Sequence, residues 1–198
     1  MKILAFTDIH ADPEAFATLK RKIKNDHPEI VACCGDISNF GMDLEFAVKQ
    51  ILSFKKKTLL IPGNHETAEE VRHISQRHKE IINLHDSFFE IDNVVFYGYG
   101  GGGFSLHDPK FEKKIQQLLK KIPQGKKLVF LTHAPIYNTK LDKLSRGHFG
   151  NKSTRTFIEL AKPTLALCGH FHENEKKKDV LGNSHILNPG CDGMIIEI

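Results

Sequence analysis

The chain has no apolar run approaching the roughly 18 residues that a membrane-crossing helix needs, so its 198 residues predict no membrane contact. Cysteine is scarce. The four present are Cys33, Cys34, Cys168 and Cys191, and no two of them form a C-x-x-C pair. That spacing argues against a zinc–thiolate site. Cysteines lying in or near apolar runs read instead as buried thiols in a reducing cytoplasm. The N-terminal MKILAFTDIH carries one lysine and a short apolar run that Asp8 interrupts, too little for a secretion signal. The glycine run Gly100–Gly103 is not followed by G-K-[ST], which excludes a phosphate-cradling P-loop. A mobile loop or a close backbone approach remains for it. Internal repeats, linkers and low-complexity segments are lacking, so residues 1–198 read as one domain. No apolar stripe marks an oligomer face. The net charge of +4 falls partly in short lysine clusters, such as Lys55–Lys57 and Lys176–Lys178. Aromatic residues do not interleave with them, so they read as solvated helix ends and loops. A nucleic-acid partner is permitted by the charge but not favoured.

What the chain has is an ordinary globular composition, 40% hydrophobic and 26% charged. At this length folding buries roughly 70% of the unfolded surface. The first half alternates apolar runs with helical patterns. Ile3–Thr7, Ile30–Cys34 and Leu59–Ile61 read as buried strands. Between them, Pro13–Asn25 spaces Phe16, Leu19 and Ile23 as a helix face, and Leu44, Val48, Ile51 and Leu52 mark a second helix. This alternation predicts βαβ units and an α/β fold. Helices are further expected over Glu66–Arg77, Pro109–Lys121 and around Thr154–Ala161. Strands are expected over Phe88–Ile91, Val94–Tyr99, Leu128–Leu131 and Leu165–Cys168. The tail from Glu173 to Ile198 reads as antiparallel strands with turns at Leu181–Asn183 and Pro189–Gly193.

Five polar patches follow apolar runs: Asp8-Ile9-His10, Gly35-Asp36, Gly63-Asn64-His65, His133 and Gly169-His170-Phe171-His172. Taken singly, Asp36 is a helix cap, Asn64 a turn residue and His133 a structural histidine. Ligands of open α/β sheets gather beyond the carboxyl ends of strands, and five coincident placements there are improbable as separate accidents. Asp8 and His10 are two residues apart, as are His170 and His172, so in extended backbone each pair faces one way. A mix of carboxylate, imidazole and amide donors suits manganese, iron, zinc or nickel better than magnesium or calcium.

The ordered set D-x-H, GD, GNH, H and GHxH, running from Asp8 to His172, resembles the calcineurin-like metallophosphoesterase superfamily. The stretches GDISNFG, THAPIYNTKLDKL and ALCGHFHE, with the NPG of Asn188–Gly190, are most similar to the small phosphoesterases related to Icc-type cyclic-nucleotide phosphodiesterases. The resemblance implies a four-layer αββα sandwich with mixed sheets and two divalent cations, manganese favoured. It implies a first metal on Asp8, His10, Asp36 and His172, and a second on Asp36, Asn64, His133 and His170, with Asp36 bridging. His65 is then the spare histidine beside the scissile group. The implied reaction is cleavage of a small phosphodiester or nucleotide by in-line attack of a hydroxide held between metals about 3.5–4 Å apart. Glu66 is expected either to orient His65 or to cap the following helix. Asn39 and His148 are candidate substrate contacts, against a turn role for Asn39 and a surface role for His148. Two rival readings are a metal-dependent nuclease, which the lack of a DNA-binding extension opposes, and a non-catalytic scaffold or metal binder. The eight intact positions oppose the scaffold, and the spare His65 opposes the metal binder.

Overall fold

The computed structural model describes residues 1–198. In chain order its elements are β1 (Lys2–Phe6), α1 (Pro13–Asp26), β2 (Ile30–Cys33), α2 (Leu44–Leu52), β3 (Thr58–Leu60), α3 (Ala68–Arg77) and β4 (Ile81–Asn83). There follow β5 (Ser87–Ile91), β6 (Val94–Tyr99), α4 (Pro109–Lys121), β7 (Lys127–Thr132), β8 (Lys143–Leu144), β9 (Gly147–His148) and α5 (Lys152–Ala161). The chain ends with β10 (Leu165–Leu167), β11 (Lys178–Leu181), β12 (Ser184–Leu187) and β13 (Met194–Glu197).

Two sheets carry the fold. The first has the order β13-β1-β2-β3-β4 and the second β11-β12-β10-β7-β6-β5. The inner pairs β1/β2, β2/β3, β6/β7, β7/β10 and β10/β12 are parallel. The antiparallel strands β13, β11 and β5 form three of the four edges, and β4, parallel to β3, forms the other. Both sheets are therefore mixed, with parallel centres that need cover on both faces.

Side-chain alternation supplies that cover. Along β1, Ile3 and Ala5 join the apolar layer between the sheets, where Phe96, Val129, Leu131 and Leu167 of the second sheet meet them. Leu4 and Phe6 face the other way, against Phe16 and Leu19 of α1, Val48 and Ile51 of α2 and Val71 of α3. The second sheet repeats the scheme. Its Val95, Tyr97, Phe130 and Ala166 pack on Phe111 and Ile115 of α4 and Phe157 of α5. Three apolar layers separate helices, sheet, sheet and helices, which is the expected αββα sandwich.

The structure differs from expectation in places. The helix predicted from Glu66 starts at Ala68, because Thr67 and Glu70 form a reciprocal capping box. Glu66 is left outside the helix and is buried. The tail is not one antiparallel meander. β11 and β12 form the expected hairpin in the second sheet, while β13 crosses to pair with β1 of the first. The three-residue β4 and the two-residue β8 and β9 were not anticipated, being too short for a periodic signal.

Candidate metal centre

The strands β1, β2 and β3 of the first sheet and β7 and β10 of the second all end at the same side of the sandwich. The loops leaving them are laced together by hydrogen bonds between sheets. The His170 N–H donates to the Asp8 carboxylate at 2.9 Å to Oδ2, and His133 Nδ1 lies 2.9 Å from the Cys34 carbonyl; within the second sheet the Gly169 N–H donates to the His133 carbonyl at 3.0 Å. Within the first sheet the Asp8 N–H donates to the Gly35 carbonyl at 3.0 Å, and the His10 N–H to the Asp36 carbonyl at 3.1 Å. Asp8, His10, Asp36 and His170 all hold positive φ, at 51, 44, 52 and 71°. Such left-handed backbone costs roughly 1–3 kcal/mol per residue and clusters at functional sites. Glycine is required beside these residues for want of space: a Cβ on Gly169 would press on Thr7 Oγ1 and Asp8 Oδ2, and one on Gly63 on Asp36 Oδ1.

All eight residues singled out by the motifs converge. Ligand atoms of Asp8, His10 and His172 lie within 4.8 Å of one another, as do those of Asp36, His133 and His170, and those of His10, Asp36 and His65. Asp36 joins two of these groups. Its Oδ1 accepts from the His65 backbone N–H at 2.9 Å. Its Oδ2 lies 3.4 Å from His133 Nε2 and 3.9 Å from Nε2 of both His10 and His65. Asn64 Oδ1 lies 3.0 Å from His133 Nε2.

Hydrogen bonds on the outer nitrogens set what each imidazole presents to the cluster. His10 and His133 use Nδ1–H to donate to the carbonyls of Ser38 (3.2 Å) and Cys34 (2.9 Å). A carbonyl only accepts, so in the neutral form of either ring Nε2 faces inward with a lone pair. His65 is the reverse. Its Nδ1 accepts from the Phe40 backbone N–H at 3.3 Å, so its neutral ring turns an Nε2–H towards the cluster. The rings of His10 and His133 are thus told apart from that of His65 by their partners.

Burial would push the Asp36 carboxyl up, but the His133 hydrogen bond and charge, with the His65 N–H, hold it down at about 2. Asp8 is likewise held below the usual carboxylate range against its burial, by His172, His133 and Thr7. Burial drives His170 down to about 4, with the neighbouring His133 charge adding to it. His133 goes up despite full burial, because the Asp36 carboxylate lies 3.4 Å from its Nε2, and the Asp8 carboxylate, 3.7 Å from Nε2, raises His172. The cluster therefore keeps both carboxylates ionised and draws positive charge towards them.

The residues fit divalent cations. His170 Nε2 is buried with no hydrogen-bond partner, an arrangement that is costly unless something bonds the nitrogen. In the neutral form of His133 its inward lone pair faces the Asn64 carbonyl oxygen at 3.0 Å. Two acceptors so placed need a proton or a metal between them. Oxygen and imidazole donors with no thiolate complete a set suited to borderline transition metals.

The two candidate substrate contacts are placed differently. Asn39 lines the cleft over the cluster, but its amide Nδ2 donates to the His10 carbonyl at 3.0 Å, so it also serves the turn. His148 is not in that lining. The fully buried Asp142 takes its Nδ1 at 2.7 Å and fixes it in the β8–β9 segment. Glu66 neither caps α3 nor bonds His65. Its carboxylate accepts from the N–H groups of Asp36 (2.9 Å), Ser38 (2.9 Å) and Gly63 (3.4 Å) and from the Ser38 hydroxyl (2.7 Å). It ties the loops after β2 and β3 together. Thr7, whose hydroxyl donates to Asp8 Oδ2 at 2.6 Å, was also missed. Its place next to Asp8 was the only signal. The Gly100–Gly103 run is a close approach: a Cβ on Gly100 would meet Pro62, and one on Gly103 would meet His170 Cε1 at 3.0 Å.

Comparison with known proteins bears on the family and the fold. A family model described as calcineurin-like phosphoesterase matches residues 1–174. An uncharacterized protein of Methanocaldococcus jannaschii, MJ1162, is 32% identical over 200 residues, covering 96% of this chain and 88% of that protein. The solved structure of TT1561 of Thermus thermophilus superposes with a TM-score of 0.75 at 19% identity, over 96% of this chain and 88% of its own. A dimetal phosphatase from Danio rerio superposes with a TM-score of 0.68 at 9% identity, over 95% of this chain and 86% of its own. At such identities these two structures speak for the fold.

Proposed function

The chain belongs to the calcineurin-like phosphoesterase family, and on that premise we propose that it is a dinuclear metal-dependent phosphodiesterase. The observation that carries the proposal is the position of Asp36, one carboxylate shared between clusters of imidazoles drawn from both sheets. Asp8, His10, Asp36 and His172 would hold one cation, and Asp36, Asn64, His133 and His170 the other, manganese being favoured over iron, zinc or nickel. Two such ions supply Lewis acidity towards the phosphoryl oxygens and a water of lowered pKa.

The side chains around them do the rest. The Ser38 and Cys34 carbonyls keep His10 and His133 in the ligating tautomer. The Phe40 N–H keeps His65 in the opposite one. His65 then offers its Nε2–H to a phosphoryl or leaving oxygen as negative charge grows there. With Nδ1 engaged by the Phe40 N–H, His65 serves as a hydrogen-bond donor through Nε2. Glu66 keeps the loops bearing Asp36 and Asn64 in register.

The cleft favours a diester. It is lined by His10, Asp36, Asn39, Phe40, Asn64, His65, Phe104, His170 and His172, with no lysine or arginine. A diester brings one negative charge to the metals, whereas the second charge of a monoester would find no cationic side chain. The four cysteines are free thiols, which supports a reducing, cytoplasmic setting.

The test is hydrolysis of bis(p-nitrophenyl) phosphate against p-nitrophenyl phosphate. Protein stripped of metal is reloaded separately with manganese, nickel, zinc, iron and magnesium. Metal-dependent diester turnover exceeding monoester turnover is expected. Two metals bound per chain with no turnover by any of them would sink the proposal in favour of a non-catalytic role.

A further inference from the structure

Two phenylalanines stand exposed in a cleft otherwise made of carboxylate, amide and imidazole groups. Phe40 is 72% and Phe104 78% exposed, against full burial for Phe6, Phe16, Phe96, Phe111, Phe130 and Phe157. Leaving a phenyl ring in water forgoes roughly 1.5–3 kcal/mol of burial. Neither ring is loose on the surface. Phe40 stacks on His65, with centroids 3.8 Å apart and planes at 24°. Phe104 meets His170 edge to face at 4.4 Å. Each ring thus rests on a different member of the cluster and keeps apolar surface towards the opening.

The backbone is bent to put them there. Phe40 has φ +50°, an outlier for a bulky side chain, at the tip of a turn closed by the Asn39–Met42 bridge. Phe104 follows Gly101, Gly102 and Gly103, all at positive φ (84, 93 and 75°). The Gly101 N–H anchors this run to the Pro62 carbonyl at 2.8 Å. A glycine at 103 lets the chain pass His170 and Asn64 closely enough to carry the next ring over the ligand. The run that lacked a P-loop signature thus has a purpose: it delivers Phe104.

We propose that Phe40 and Phe104 are specificity-determining residues that stack a planar aromatic group of the diester, an aryl ring or a nucleoside base, beside the metal-bound phosphate. The inference rests on the phosphodiesterase reading and adds the class of organic group to it. A cleft of roughly 460 Å3 holds a phosphate and one such ring. The absence of cationic side chains there disfavours a second phosphate in the same position. Stacking of a base on an aromatic side chain tolerates any base, since each has a π face, and the gain is commonly tenfold or more in affinity.

The test uses diesters that share a p-nitrophenolate leaving group and differ in the other ester: methyl, phenyl and thymidine-5′. For each, kcat/KM is measured on manganese-loaded wild type, Phe40→Leu and Phe104→Leu. The readout is the ratio of the phenyl or thymidine diester to the methyl diester, in which any general loss of activity cancels. Each variant is expected to lower that ratio about tenfold, mostly through KM. A fall for one ring only still supports the inference and identifies the ring. Ratios within twofold of wild type for both variants overturn it. Calorimetric binding of thymidine 5′-monophosphate against methyl phosphate gives a readout without turnover. Wild type is expected to favour the nucleotide at least tenfold and the variants to lose that preference; equal wild-type affinities overturn the inference. Lack of turnover by wild type sinks the phosphodiesterase reading, and the binding comparison then decides this one alone. A wild-type dimer that both variants dissociate, with substrate ratios unchanged, would assign the rings to self-association and overturn the inference.

Discussion

A histidine's second nitrogen decides what its first can do, and at this cluster the backbone makes that choice. His10 and His133 donate outward to carbonyls and turn Nε2 inward; His65 accepts outward from the Phe40 N–H and turns an Nε2–H inward. His65→Ala should therefore keep two metals per chain by elemental analysis. Its kcat towards an aryl diester should fall a hundredfold or more, the scale of losing one donor to a developing oxyanion. A variant that loses a metal equivalent would make His65 a ligand, and one with full turnover would remove its role. That His65 lies beside the other seven residues was legible from the GNH patch, and the resemblance supplied its proposed role as the spare histidine. Its donor tautomer was not, since the Phe40 amide lies 25 positions away and nothing in either segment announces the contact. Glu66 was misread for a similar reason. A carboxylate at the expected start of a helix looks like a cap, yet the Thr67–Glu70 pair takes that task and frees Glu66 for the loops.

Among the elements, the legible ones were those whose faces are both buried. Ile30–Cys33 and Leu59–Leu60 are wholly apolar because α-helices cover one side and the second sheet the other. The strand β13 was legible as a strand but not in its partner. Met194–Glu197 could extend either sheet by local pattern, and its pairing to β1 is fixed by packing across the molecule. The loops after the strands are where sequence and space constrain each other most tightly. Gly169, after β10, sits against the Thr7–Asp8 step that follows β1; its Cβ would come within 2.5 Å of Asp8 Oδ2. That carboxylate also receives the His170 N–H. Gly169→Ala must push the two loops apart, so it should fold with a lowered melting temperature and bind the metal at Asp8, His10 and His172 at least tenfold more weakly. Metal titration followed by calorimetry checks this. Unchanged affinity would mean that the loops yield without moving Asp8.

For the molecule as a whole, the two sheets share an apolar layer along their faces but meet at the carboxyl ends of their strands through polar contacts. Asp8, His10, Asp36 and Asn64 come from the first sheet; His133, His170 and His172 come from the second. Cations held by both sets would act as clamps between the sheets at one end of the sandwich. Any ligand that binds only the folded chain stabilises it, by about 2.7 kcal/mol at a hundredfold excess over its Kd. For a chain of this size each kcal/mol moves the melting temperature by roughly 2–4 °C. Chelation should thus lower the melting temperature by about 5–10 °C, and manganese should restore it. Binding across the sheets, rather than within the first alone, is separated by His170→Ala. This substitution leaves every first-sheet donor in place and removes a side chain whose Nε2 is buried without a partner. Its metal-free melting temperature should fall little, while most of the manganese-induced rise should disappear. If the rise survives intact, the cations are held by the first sheet and the second contributes only the wall of the cleft.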